Sequence, residues 1–135
     1  MNKLYVFILI AIFTGCIKTA QQVQENIVIQ AVTTGQWKVT TFINDGTDVT
    51  SSFAAYTFHF KTDFNVDAIN NGSVENTGTW NADANSKTIT SNFSNASPAL
   101  LLLNGTWSIT NSTLTSVDAT LTLNGKTKTL RLDKI

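Results

Sequence analysis

Few side chains in this sequence are placed to do covalent chemistry, and the clearest is a single cysteine. Cys16 closes Phe13-Thr14-Gly15-Cys16 directly behind the apolar run Leu4 to Phe13, with Lys3 in front. A basic start, a short apolar stretch and small residues before a cut site compose an export segment rather than part of a folded domain. The run holds about half of the ~20 apolar residues that a membrane-spanning helix needs. Cleavage after Gly15 would leave Cys16 at the new amino terminus, ready for acylation, and with no second thiol a disulfide within the chain is excluded. The expectation is a signal peptide over residues 1–15 with Cys16 as the lipidation site; a free thiol in an ordinary secreted protein is the plainer alternative.

Other reactive groups are sparse. His59 is the only histidine, and between Phe58 and Phe60 it faces away from those rings, towards the exterior. No serine sits in a Gly-x-Ser-x-Gly turn and no cysteine remains after lipidation, so no catalytic residue is assigned and the chain reads as a non-enzyme. A hydrolase would require carboxylates such as Asp67 and Glu75 to converge in a pocket. One histidine without a cysteine pair excludes zinc spacing. Asp45, Asp48 and Asp63 fall short of the six or more oxygens calcium wants, and Asn44-Asp45-Gly46 is explained by a turn. No metal and no cofactor are expected.

Charge narrows the partners. The chain has nine basic and nine acidic residues, and loss of Lys3 leaves eight against nine. That balance argues against a nucleic acid, which needs a basic face for its phosphates. Nor does it supply a polybasic second anchor, so membrane attachment falls to the acyl chains alone. Neither charge nor pattern sets an oligomeric state.

Aromatic residues carry the remaining signal. Gly35-Gln36-Trp37, Gly78-Thr79-Trp80 and Gly105-Thr106-Trp107 share one local pattern: a residue that lets the strand bend or a backbone approach, then a ring directed at the core. Together with Tyr56 and Phe58, these make Trp37, Trp80 and Trp107 the candidates for a small apolar ligand. Core packing at a barrel end is the plainer reading of the same rings.

Elements that would position them follow from alternation. Residues 16–34 form the lipidated cysteine and a tether whose later part fits helical spacing (Val23, Ile27, Ala31) and strand alternation (Ile27, Ile29, Ala31) equally. From Gly35 apolar and polar residues alternate in short runs, separated by Asp45-Gly46, Asn71-Gly72, Asn104-Gly105 and Asn124-Gly125. Strands are expected at 36–43, with Trp37, Val39, Thr41 and Ile43 on one face, then at 55–61, 65–70, 73–81 and 87–93. Three more are expected at 106–111, 113–124 with a break near Asp118, and 126–133. Ser97-Pro98 should open about one helical turn. Eight consecutive antiparallel strands remove their edges by closing into an up-and-down barrel, here over residues 35–135, and strands this short imply a shallow or largely filled bore.

The stretches Gly35 to Phe42, Asp48 to Phe53, Tyr56 to Phe60 and Gly78-Thr79-Trp80 resemble the small lipocalin-like lipoproteins of Gram-negative bacteria, and Leu130-Arg131-Leu132-Asp133-Lys134 is similar to their closing strand. The resemblance implies an all-β, lipocalin-like barrel at the cell envelope, lipid-anchored to the outer membrane on its periplasmic face or at the cell surface. The excess of in-phase rings in a bore of limited width points to a small apolar or amphipathic ligand in the barrel, whereas the short strands suit the alternative, a filled barrel that contacts a protein or surface polymer. In lipocalins an Arg from the last strand packs on the signature Trp, which makes Arg131 the candidate partner of Trp37. Strict alternation opposes this, because it points Leu130 and Leu132 inward and Arg131 outward unless a bulge intervenes. The same phase points Lys126 and Lys128 inward near one rim, where they meet an anionic headgroup or bend out to water.

Overall fold

Antiparallel strands begin where the alternation does. In the computed structural model residues 27–135 are described, so the expected signal peptide and Cys16 lie outside the described residues. The order is α1 (27–33), β1 (Trp37–Asn44), β2 (Thr47–Asp48), a 3-10 turn (Thr50–Phe53), β3 (Tyr56–Phe60), β4 (Asn65–Asn70) and β5 (Ser73–Asp83). It continues with β6 (Thr88–Asn92), α2 (Pro98–Leu101), β7 (Gly105–Ser112), β8 (Ser116–Leu123) and β9 (Lys126–Lys134). β1 and β3 through β9 form a ring of eight antiparallel strands, closed by β9 against β1; β2 is a short hairpin return on β1. No described helix is long and apolar enough to cross a membrane.

Turn chemistry sets three of the connections. Asp45, Asn71 and Asn124 adopt φ of 48°, 49° and 53°, each followed by a glycine with positive φ, the conformation of a two-residue hairpin turn. Asn104-Gly105 works differently. It follows α2, where the Asn104 side chain accepts from the Phe93 amide at 2.6 Å and donates to the Phe93 carbonyl at 2.9 Å, acting as a strand partner. Gly105 then turns into β7 at φ 128°, a value side-chain-bearing residues rarely adopt.

Three bulges redirect side chains that strict alternation misplaces. On β1 the register against β9 passes from Val39↔Leu132 to Thr41↔Arg131, leaving Thr40 as the extra residue. Beyond it the inward phase flips. Phe42 is fully buried, whereas Thr41 and Ile43, expected beside Trp37 and Val39, face outward or lie half-buried. On β7 the extra residue is Thr110, so the interruption expected near Asp118 belongs to the strand opposite it. On β5 it is Glu75.

Both barrel ends are covered. At the end where β1 starts, α1 packs Val28, Ile29 and buried Val32 against the core, so the described part of the expected tether is helical. The Thr33 and Thr34 hydroxyls donate to the Ile29 and Gln30 carbonyls at 2.7 Å, and Lys134 Nζ donates to the Ala31 carbonyl at 2.8 Å. These bonds occupy carbonyls that a helix leaves open at its C-terminus. The opposite end is covered by the 3-10 turn, through Phe53, by α2, through Leu100, and by Leu103 just after it. As expected, Ser97 caps α2, accepting from the Leu100 amide, and Pro98 occupies its first turn.

Arg131 faces outward. Its guanidinium pairs with Asp133 at 3.0 Å and Asp118 at 3.2 Å, and Thr40 donates to Asp133 at 2.5 Å. This is the outward direction that alternation gave it, and the contact with Trp37 that the resemblance implied for Arg131 is made by Lys134, whose ammonium lies 5.0 Å from the Trp37 ring centre. β9 carries no bulge of its own, so residues 130, 132 and 134 share the inner face and 131 cannot.

Two outcomes follow for stability. A methyl group on Gly78 would lie 2.5 Å from the Asn92 carbonyl oxygen and 2.7 Å from the Phe93 ring; Gly78→Ala is expected to cost about 1–3 kcal/mol in urea unfolding, the usual penalty of overpacking. The Asp133 carboxyl is held below its ordinary 3.8, first by Arg131 and then by Thr40. A depressed carboxyl stabilises the fold fully above its unfolded value, and this is lost as pH falls through the folded one. Asp133→Asn should therefore be less stable than the wild type at pH 7, by less than Gly78→Ala, with the gap closing below about pH 4 when urea midpoints are compared.

Candidate functional site: a sealed bore and a rim groove

The five candidate aromatic residues separate into two groups. Phe58 and Trp107 line an internal cavity of about 50 Å³ together with Phe60, Val66, Ile89 and Phe93, whereas Trp37, Tyr56 and Trp80 lie outside its lining. Ser91 is its one polar neighbour, and that hydroxyl donates to the Leu103 carbonyl at 2.5 Å. The wall is thus apolar throughout. Pockets for small molecules usually enclose ~300–1,000 Å³, so the bore as it stands is packed core with a residual void.

Each tryptophan is tied by its indole N–H to a segment that covers an end. Trp37 donates to Val32 at 2.9 Å, Trp80 to Lys61 at 3.0 Å and Trp107 to Leu103 at 2.9 Å, all main-chain carbonyls. Leaving such a donor buried and unpaired costs about 1–3 kcal/mol, so the three bonds fasten α1, the β3–β4 turn and the exit of α2 to the barrel. The sequence pattern pointed at the rings but not at their carbonyl partners, which lie 4 to 19 residues away in other segments.

Tyr56 anchors a polar cluster that the alternation did not foretell. Its hydroxyl donates to Glu75 at 2.5 Å and lies 3.2 Å from Ser97 Oγ, while Asn70 donates to the other Glu75 oxygen at 3.0 Å. Desolvation, then the bond to Glu75, pushes the phenol up, and Tyr56 followed by Asn70 holds the Glu75 carboxyl down. The bulge at Glu75 places that carboxylate at the rim, and a bulge leaves no mark in a hydropathy pattern.

Asp67 has different company. It pairs with Lys61 at 2.8 Å, accepts from Thr77 at 2.8 Å and stands opposite His59 in the β3–β4 register. Lys61 is the main cause holding its carboxyl low. Asp67 and Glu75 therefore share no hydrogen-bond partner. Asp48 and Asp63 accept from the amides of Thr50 at 2.9 Å and Asn65 at 3.0 Å, closing their own turns. Among the described residues no group of three His, Cys, Asp or Glu is gathered to hold a metal ion.

The larger concavity lies outside the bore, at the α2 end. A groove of about 650 Å³ runs between the β8–β9 hairpin and Asn104-Gly105, lined by Leu121, Leu123, Lys126 and Lys128 and bordered by Asn44 and Asn124. Both lysines are on the inner face of β9, as their phase implied. Lys128 donates to the Leu102 carbonyl at 3.0 Å, and Lys126 is exposed.

No model of a protein family matches the chain, and no curated protein matches it either. Among solved structures it is similar to a DUF4847 family protein from Bacteroides vulgatus, with a TM-score of 0.54 and 16% identity over 78% of this chain and 96% of that one. At that identity the likeness is one of fold, and it supports an eight-stranded antiparallel barrel.

Proposed function

We propose that this protein is a non-enzymatic, lipocalin-like lipoprotein of the cell envelope, held to the outer membrane by acyl chains on Cys16. It acts as a filled-barrel binding module that meets its partner at the α2 end. The observation that carries this reading is the bore: filled by core side chains, lined by apolar groups apart from Ser91, and left with a void of about 50 Å³. A dry engineered cavity that admits benzene is about three times larger, at ~150 Å³. The carboxylates support a non-enzymatic role, since Asp67 is engaged by Lys61 and Thr77 and Glu75 by Tyr56 and Asn70, with no hydrogen-bond partner in common. Placing the partner outside the bore follows the interaction-module alternative more closely than the ligand-in-barrel expectation.

A second reading keeps a ligand inside. The apolar wall, with Ser91 already bonded, suits a short hydrocarbon that spreads the core on entering. Ala119 lines the cavity, so Ala119→Val separates the two. On the filled-barrel reading the added methyl groups occupy void, stability changes by no more than about 1 kcal/mol, and uncharged apolar probes such as sterols and isoprenoid alcohols leave tryptophan emission unchanged in both proteins. A saturable emission shift in the wild type that Ala119→Val abolishes would place the ligand in the bore.

A further inference from the structure

We propose that the rim groove binds a single-chain anionic amphiphile, with its phosphate or carboxylate head between Lys126 and Lys128 and its tail along Leu121 and Leu123. This rests on the filled-barrel reading and adds the ligand class that reading leaves open. The β8–β9 register sets Leu121 opposite Lys128 and Leu123 opposite Lys126, so two apolar and two cationic side chains alternate across one face. Directly paired residues of this kind stand about 4.5–5.5 Å apart at Cβ.

Lower on the same face the pair Ala119 and Leu130 is buried core. Above the rim the cover runs out: Leu121 is 8% exposed and Leu123 65%. Lysine stems often shield apolar surface while their heads reach water. Here Leu123 stays open despite both stems, leaving apolar area for a tail. The groove volume of about 650 Å³ lies within the range usual for small-molecule sites.

Charge selects the head. No acidic residue lines the groove, and among the described residues no carboxylate lies within 4.0 Å of either ammonium. Asp45 stands on the adjoining turn, where its amide donates to the Thr127 carbonyl, and does not join the lining. Lys128 spends one donor on Leu102 and is thereby fixed with two to offer. A donor already held in place loses little freedom when it meets an anion.

Calorimetric titration of the mature chain, acylated at Cys16, in phosphatidylcholine nanodiscs, with empty discs as the blank, tests the assignment. Octyl phosphate should bind saturably, with inorganic phosphate (head alone) and octyl glucoside (uncharged head) at least about tenfold weaker. Lys126→Gln and Leu123→Asn should each weaken octyl phosphate about tenfold, Lys126→Arg should restore it, and Ala119→Val should leave it unchanged. Both positions are exposed, so these variants keep the fold. No saturable binding, or equal affinity in Lys126→Gln, overturns the groove proposal while the filled barrel stands. Loss of binding in Ala119→Val puts the ligand in the bore and overturns both. Attachment to phosphatidylglycerol vesicles without binding of octyl phosphate shows that the lysines serve membrane attraction, which also sinks the assignment.

Discussion

Closure of the sheet between β1 and β9 is the contact on which the rest of the molecule depends. Seven residue pairs join these strands, from Trp37↔Lys134 to Asn44↔Lys128, whereas β1 meets β3 through the single pair Trp37↔Phe58. Unpaired, β1 and β9 would be open edges with a row of unsatisfied amides and carbonyls. Two features make the seam hold. The Thr40 bulge turns Phe42 into the core, where its ring meets Phe53 at 5.2 Å and Trp107 at 5.9 Å. On the outside, Arg131 reaches Asp118 on β8 and Asp133 on its own strand, and Thr40 on β1 bonds the same Asp133.

Once closed, the ring has two ends to cover, and the tryptophans do this. An indole brings a large apolar area and one donor that must be satisfied. At each of the three Gly-x-Trp sites that donor finds the backbone of a covering segment. Lys134 adds its charge at the α1 end, lying over Trp37 and bonding Ala31 at once. The pairing of a last-strand cation with Trp37 that the sequence resemblance implied is thus made by Lys134 and not by Arg131, because the bulge lies on β1 and leaves the phase of β9 intact.

A barrel sealed in this way has little interior left to offer. Phe42, Phe53, Phe58, Phe60, Phe93 and Trp107 converge on a bore only eight strands wide, and their rings fill it. Open concave surface lies instead where strands outrun the core. The β8–β9 hairpin extends past the packed layer at the α2 end, so side chains that would be core further down become a groove wall.

Local chemistry in the chain was enough to specify the strands, their order and most of their turns. Alternation of Tyr56, Phe58 and Phe60, the hairpin pairs at Asn71 and Asn124, and the Ser97-Pro98 helix start all reappear as read, since each depends on residues adjacent in sequence. The inward phase of Lys126 and Lys128 was legible for the same reason. The bulges at Thr40, Glu75 and Thr110, the company of Glu75, the helical state of residues 27–33, the carbonyl partners of the three indoles and the volume of the bore were settled only in three dimensions. Each is a compromise between strands or segments far apart in the chain, where packing rings and pairing buried donors outweighs the two-residue period that governs a strand on its own.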